Sequence, residues 1–148
     1  MAEASGAYEP SPTGWVRRQV ERIEATGDTR SVDIMGRPVV MLTMRGAKTG
    51  AVRKVPLMRV EHDGVYAAVA SRGGGPTHPQ WYHNLRADSR VELMDGTDSW
   101  QTLAREIHGA EYDQWWERCV TAYPPYAEYV VRAAEADRRI PVFLLERV

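Results

Sequence analysis

The chain has 148 residues, of which 43% are hydrophobic and 26% are charged, and its formal net charge is -1. This composition is typical of a globular protein and excludes a disordered chain, while the near-neutral charge argues against a nucleic-acid-binding surface. We predict a flexible tail at residues 1–10 and a single domain over residues 11–148.

Cysteine content and hydropathy exclude further classes of protein. The single cysteine, Cys119, rules out an intramolecular disulfide and a multi-cysteine metal site. No apolar run reaches the roughly 18 residues of a membrane span, and the N-terminus lacks the apolar core of a signal peptide. The sequence therefore predicts a cytoplasmic protein without stable membrane insertion.

The first half of the chain predicts one helix and four strands. Residues 12–25 have helical periodicity, and Gly27 is placed to end the helix. Its apolar face, at Val16, Val20 and Ile23, predicts packing on a sheet, with peripheral contact to the inner membrane as the alternative. Strands are predicted at 31–35, 38–44, 52–61 and 65–70, and the second is apolar enough to be central.

The last two of these strands form a predicted hairpin, because His62-Asp63-Gly64 is a turn sequence. Pairing along their whole length would bring the loop before the first strand and the loop after the second to one end of the sheet. Taken alone, the first loop is as compatible with a solvated turn as with an anion site, and the three adjacent glycines of the second favour a flexible connector. Together they would gather cations around glycine-rich backbone, which suits an anion. The cations are Arg45, Lys48, Arg53, Lys54 and Arg72.

The second half of the chain is dominated by helical signals. Helices are predicted at 79–87, 109–123 and 126–136, a hairpin at 90–94 and 99–107, and a final strand at 140–145. Six or seven mostly antiparallel strands with about four helices indicate a mainly β or α+β fold, built as a small barrel or a strongly curved sheet.

Three tyrosines repeat at three-residue spacing around the helix break at residues 124–125. Tyr123, Tyr126 and Tyr129 are either core residues or the lining of a wet cleft. The four histidines show no metal-ligand spacing, so no metal is predicted. Residue types alone thus indicate an anion-binding cleft with aromatic side chains nearby, and they do not name the ligand.

Four segments also resemble, in order and spacing, those of the deazaflavin-dependent nitroreductase family of actinobacteria: 46–57, 70–74, 79–85 and 123–126. The resemblance runs from about Val39 to the C-terminus. It implies a split β-barrel of the FMN-binding, flavin-reductase type with about four surrounding helices. It also implies that the reduced 8-hydroxy-5-deazaflavin coenzyme (F-420) binds in place of a flavin.

The resemblance assigns roles to individual residues. The coenzyme's phosphate and acidic tail would be held by Lys48, Thr49, Arg53 and Arg72. The ring and ribityl parts would be bordered by Pro56, Ser71, Gly73, Trp81, Tyr82 and Asn84, and the coenzyme-binding set is completed by Gly50, Pro79 and Tyr123. Tyr126 and Tyr129 would line the substrate side, and either of them or Ser71 would supply or relay a proton.

The implied activity is hydride transfer from the reduced deazaflavin to a small-molecule acceptor: a quinone, an unsaturated lactone such as a coumarin, or a nitroaromatic compound. Two alternatives remain open on the residues: an FMN-binding split-barrel oxidoreductase, and a non-catalytic deazaflavin carrier. Split barrels often dimerise, so a homodimer is compatible with the resemblance.

Overall fold

The computed structural model describes residues 7–148, in which four α-helices surround a seven-stranded sheet. The helices are α1 (Gly14–Thr26), α2 (Gln80–Ala87), α3 (Gly109–Ala122) and α4 (Tyr126–Glu135). The strands are β1 (Val39–Arg45), β2 (Val52–Met58), β3 (Glu61–His62), β4 (Val65–Val69), β5 (Arg90–Asp95), β6 (Asp98–Glu106) and β7 (Val142–Arg147). All four predicted helices are confirmed, within two residues at each end.

The strands form one antiparallel sheet in the order β2-β1-β5-β6-β7-β4-β3. β1 lies inside the sheet between β2 and β5, as its apolar sequence predicts, and residues 39–42 are buried. The sheet curls into a half-barrel, so that β2 and β4, far apart in the strand order, approach each other. The predicted α+β fold of split-barrel type is confirmed.

The hairpin predicted from residues 52–61 and 65–70 forms only at its turn. Beside that turn β3 pairs with β4 over two residue pairs, and the Ala67 N–H donates to the Val60 carbonyl at 2.9 Å. Residues 52–58 instead pair with β1 over seven residue pairs. The prediction of full-length pairing is therefore wrong. Because β2 approaches β4 without pairing with it, a space remains between the two strands.

The strand predicted at residues 31–35 is also absent. A short 3-10 turn occupies Thr29–Ser31, and only an isolated bridge joins Ile34 to Arg37. The Asp28 carboxylate accepts the Arg30 backbone N–H and so caps this turn. A second turn follows at once, because Met35 and Gly36 have left-handed backbone with φ of 54° and 76°, so too few extended residues remain between the turns for a strand.

The N-terminal part of the described chain lies against β2. Residue 7 accepts the Val52 N–H at 3.0 Å, and the Glu9 N–H donates to the Val52 carbonyl at 2.9 Å. Of the predicted tail at 1–10, residues 1–6 lie outside the described residues. α1 then packs Val20 and Ile23 on Met41 of the sheet, as its apolar helix face predicts. No helix within residues 7–148 is long and apolar enough to cross a bilayer.

Candidate functional site

The space between β2 and β4 is an elongated cleft of about 950 Å³. Its walls come from β2, the start of α2, the three tyrosines around the start of α4, and the residues that follow β4. Most of the predicted site residues line it: Arg53, Pro56, Ser71, Arg72, Gly73, Pro79, Trp81, Asn84, Tyr123, Tyr126 and Tyr129. The loop that follows β4 supplies part of this lining, whereas the loop between β1 and β2 does not, so the predicted meeting of the two loops in one site holds only for the second loop.

Residues 70–78, which we call the glycine loop, form the wall of the cleft next to β4. Arg72, Gly73 and Gly74 all have left-handed backbone, with φ of 47°, 63° and 75°. A Cβ on Gly74 would lie 2.7 Å from the Tyr129 carbonyl oxygen, so this glycine permits the loop to touch α4. A Cβ on Gly73 would have no neighbour within 4 Å, so the backbone there is open to a ligand.

The cations of the cleft have different partners. Arg53 forms a 2.7 Å ion pair with Glu9, and Lys54 forms one with Glu24. These carboxylates partly offset the positive charge that an anionic ligand would meet. Arg72 has no carboxylate partner among the described residues and donates to the Thr77 hydroxyl.

The loop between β1 and β2 lies beside the cleft rather than in its lining. Lys48 and Thr49 are exposed, and Gly50 adopts a φ of 73°. The Ala47 N–H donates to the Asn84 side-chain oxygen at 2.9 Å, and Asn84 itself lines the cleft. The loop is therefore anchored at the edge of the cleft, within reach of a ligand that extends beyond it.

The three tyrosines gather at the end of the cleft formed by α4. The hydroxyls of Tyr123 and Tyr129 are 3.1 Å apart, and the Tyr126 ring packs edge-on against Tyr123. The hydrogen bond to Tyr129, together with burial, raises the pKa of Tyr123 to about 12. Burial also raises the pKa of Tyr126. Both hydroxyls are therefore protonated at neutral pH.

Tyr82 lies on the other side of α2. It lines a second cavity of about 600 Å³, together with Arg138, Arg139 and Tyr112. Its hydroxyl accepts a hydrogen bond from Arg86 at 2.8 Å, and its ring packs edge-on against Phe143. The structure therefore does not bring Tyr82 together with the other predicted coenzyme-binding residues.

Sequence reasoning missed two parts of the site. Ser11, Thr13 and Trp15 form a further wall of the cleft, signalled in the sequence only by a tryptophan beside the apolar face of α1. Arg138 lies beneath the glycine loop, 8% exposed, and donates to loop carbonyls. No local pattern marks it, because the carbonyls lie more than sixty residues away in the chain.

The donors present do not suit a metal ion. Residues 7–148 contain no group of three or more His, Cys, Asp or Glu side chains that could hold one. The chemistry of the cleft therefore rests on cations, exposed glycine backbone and tyrosine hydroxyls. A half-barrel opened by diverging strands, with such a cleft, defines the class of split-barrel cofactor-binding proteins.

Comparisons with known proteins narrow this class. The family model described as F420H(2)-dependent quinone reductase matches residues 15–147. An F420H(2)-dependent quinone reductase of Mycobacterium tuberculosis is 32% identical over 112 residues, which cover 74% of each chain.

Two solved structures are also similar to this chain. One, described as an F420-H2 dependent reductase (FDR-A), is 50% identical, has a TM-score of 0.69 and covers 78% of this chain and 99% of its own. Another, described as a domain-swapped dimer, is 51% identical, has a TM-score of 0.71 and covers 92% of this chain and 100% of its own.

The chain belongs to the F420H(2)-dependent quinone reductase family. It is an oxidoreductase whose coenzyme is the deazaflavin F-420, which confirms the resemblance stated from its sequence. The membership does not support the two alternatives, an FMN enzyme and a non-catalytic carrier.

Proposed function

We propose that the protein binds the reduced deazaflavin in the cleft and reduces a conjugated acceptor, with quinones as the first class to test. The observation that carries this proposal is the layout of the cleft, which has cations and an open glycine backbone along one part and protonated tyrosines at another. The names of the family and of the mycobacterial relatives support a quinone acceptor.

The chain has residues that fit the parts of this coenzyme. Arg53 and Arg72, with Lys48, Thr49 and Gly50 of the adjoining loop, would hold the phosphate and acidic tail through charge-assisted hydrogen bonds. The ring and ribityl parts would lie against Pro56, Ser71, Gly73, Pro79, Trp81, Asn84 and Tyr123. Gly73 supports this assignment, because a flat ring can approach backbone only where no side chain intervenes.

When bound, the reduced coenzyme supplies a hydride from C5, and the acceptor must also gain one proton. Tyr126 is our first candidate for the donor, since it is buried in the cleft wall and its hydroxyl has no hydrogen-bond partner among residues 7–148. Tyr129 is the second, through its bond to Tyr123. Ser71 is the third candidate, as a relay from the glycine loop.

The first experiment measures binding. The protein is titrated with F-420 and, separately, with FMN while tryptophan fluorescence is recorded, because Trp81 lines the cleft. We expect micromolar quenching by the deazaflavin alone. Binding of FMN alone, or of neither compound, would refute the proposal.

The second experiment measures turnover, as oxidation of the reduced deazaflavin by a naphthoquinone, a coumarin and a nitroaromatic compound. Tyr126→Phe should lower kcat about 10²-fold while changing coenzyme affinity less than two-fold, if its hydroxyl is the general acid. Tyr112→Phe is the matched control, because Tyr112 is a buried tyrosine of the same core cluster outside the cleft. A loss of affinity proportional to the loss of turnover would make Tyr126 a packing residue.

Assembly and location complete the proposal. The structure described as a domain-swapped dimer supports a homodimer, which sedimentation equilibrium would test.

We place the protein in the cytoplasm, meeting apolar acceptors at the inner membrane surface, where the half-exposed Trp15 at the cleft would make contact. If the Trp15→Ser variant co-sediments with anionic vesicles as strongly as the wild type, Trp15 does not mediate the membrane contact.

A further inference from the structure

Arg138 makes an unusual set of contacts for a residue outside the cleft. It follows α4, is buried, and directs its whole guanidinium at the glycine loop. One terminal nitrogen donates to the carbonyls of Ser71 and Gly75 at 2.9 and 2.8 Å. The other terminal nitrogen donates to the Ala70 carbonyl, and Nε donates to His78 Nδ1 at 2.7 Å. One side chain thus holds both ends of the loop.

Outside Arg138, the loop is held by the Arg132 bond to the Gly73 carbonyl, by the contact of Gly74 with the Tyr129 backbone, and by the Ala70 N–H, which donates to the Pro141 carbonyl. Within the loop, the Gly74 N–H donates to the Ser71 carbonyl and the Gly75 N–H to the Arg72 carbonyl. Three successive glycines have wide conformational freedom, so these bonds alone would not select one conformation. A guanidinium presents five N–H donors in a fixed plane, so it can set the relative positions of several acceptors at once.

His78 is also fixed by this contact. Because Nδ1 accepts the bond from Arg138, the neutral imidazole carries its proton on Nε2. His78 lines both the cleft and the second cavity, so Nε2–H is the one hydrogen-bonding group it can present to a ligand in either space. That group is a donor, which matches a carbonyl or phosphate oxygen.

We propose that Arg138 is a positioning residue that sets the shape of the coenzyme-side wall of the cleft and holds His78 as a hydrogen-bond donor toward an oxygen of the bound ligand. Arg138 does not itself line the cleft, so it acts through the glycine loop. The ligand part of this inference rests on the proposed function, whereas the loop part does not.

The loop part is tested without coenzyme, by hydrogen exchange of the Gly74 and Gly75 backbone amides, which are hydrogen-bonded within the loop. Arg138→Met should accelerate their exchange at least ten-fold, because the carbonyls that anchor the loop lose their donor. Arg139→Met is the matched control: the neighbouring arginine stacks on the Tyr112 ring at 4.1 Å and should leave the loop within two-fold of the wild type. Unchanged exchange in Arg138→Met would overturn the proposal.

The His78 part is tested with two substitutions. His78→Asn places an acceptor oxygen near the position of Nδ1 but has no group at Nε2, whereas His78→Leu removes both. We expect wild-type loop exchange in His78→Asn and faster exchange in His78→Leu, with coenzyme affinity reduced at least five-fold in both. Wild-type affinity in His78→Asn would overturn the assignment of Nε2–H as a donor to the ligand.

The effects on KM and kcat distinguish a positioning role of Arg138 from a general loss of structure. Arg138→Lys keeps the charge but cannot reach four acceptors, so it should raise KM for the coenzyme about ten-fold and lower kcat less than three-fold. If Arg138→Met does not fold, Arg138→Lys carries the test, and unchanged loop exchange with an unchanged KM in that variant would overturn the proposal. If the wild type binds no deazaflavin, the proposed function fails, and loop exchange still decides the role of Arg138.

Discussion

Replacing Gly74 with alanine tests whether the glycine loop contacts α4 as closely as the structure shows. The new Cβ would lie 2.7 Å from the carbonyl oxygen of Tyr129 and 2.9 Å from its Cα. Both are backbone atoms of a helix, so they cannot turn aside as a side chain would. The loop or α4 must therefore move, and the cleft between them changes shape.

The adjacent glycine provides a matched control for the size of the effect. Gly73 and Gly74 both have positive φ, so alanine at either position is strained by about 1–2 kcal/mol. Only at Gly74 does steric overlap add about 1–3 kcal/mol. We expect Gly74→Ala to lower the free energy of unfolding by about 2–5 kcal/mol and Gly73→Ala by about 1–2 kcal/mol.

Urea unfolding followed by far-ultraviolet circular dichroism measures both changes. In a protein of this size each kcal/mol corresponds to about 2–4 °C in Tm, so thermal scans should separate the two variants clearly. Equal losses of stability in the two variants would refute the close contact between Gly74 and Tyr129.

Three further predictions concern charge and titration. Glu9→Gln should tighten binding of the anionic coenzyme about two- to five-fold at low salt, because it frees Arg53 from a surface ion pair; an unchanged dissociation constant would contradict this. Burial and Arg138 lower the pKa of His78 below 6.5, so the unfolded chain takes up a proton first as pH falls. Stability should therefore decline from about pH 6.5 downward, and His78→Asn should remove that part of the decline, measured by urea unfolding between pH 5 and 7.5. Burial raises the pKa of Cys119 to about 12, so a thiol reagent at pH 8 should label it only after unfolding in urea, and rapid labelling of the native protein would contradict its burial.

Much of the fold could be predicted because its signals are local. The apolar periodicity of α3 and the proline before α2 identify those helices, and Gly96 marks the turn between β5 and β6. The loops of the cleft could be predicted for the same reason, since glycines and cations stand out in sequence. Their roles toward the coenzyme remain predictions.

What could not be predicted depends on contacts between distant segments. Arg138 binds carbonyls of the glycine loop, and every residue presents a carbonyl, so no sequence pattern identifies its partners. Residues 31–35 have the composition of a strand, but capping by Asp28 and a hydrogen bond from the Gly96 N–H to the Thr29 hydroxyl favour a turn at residues 29–31, and a second turn begins at Met35. Tertiary contacts override weak strand propensity.

The cleft itself arises from a change of pairing partner that the strand sequence does not reveal. Residues 52–62 have one continuous extended pattern, yet their first part pairs with β1 and their last part with β4. The first part thereby becomes an edge of the sheet, with unpaired backbone groups that need cover. Residues 7–9 provide that cover along Val52, and the chain then continues into the wall of the cleft at Ser11 and Trp15. The change of pairing partner that leaves the cleft open therefore also explains why the N-terminal segment forms part of its wall.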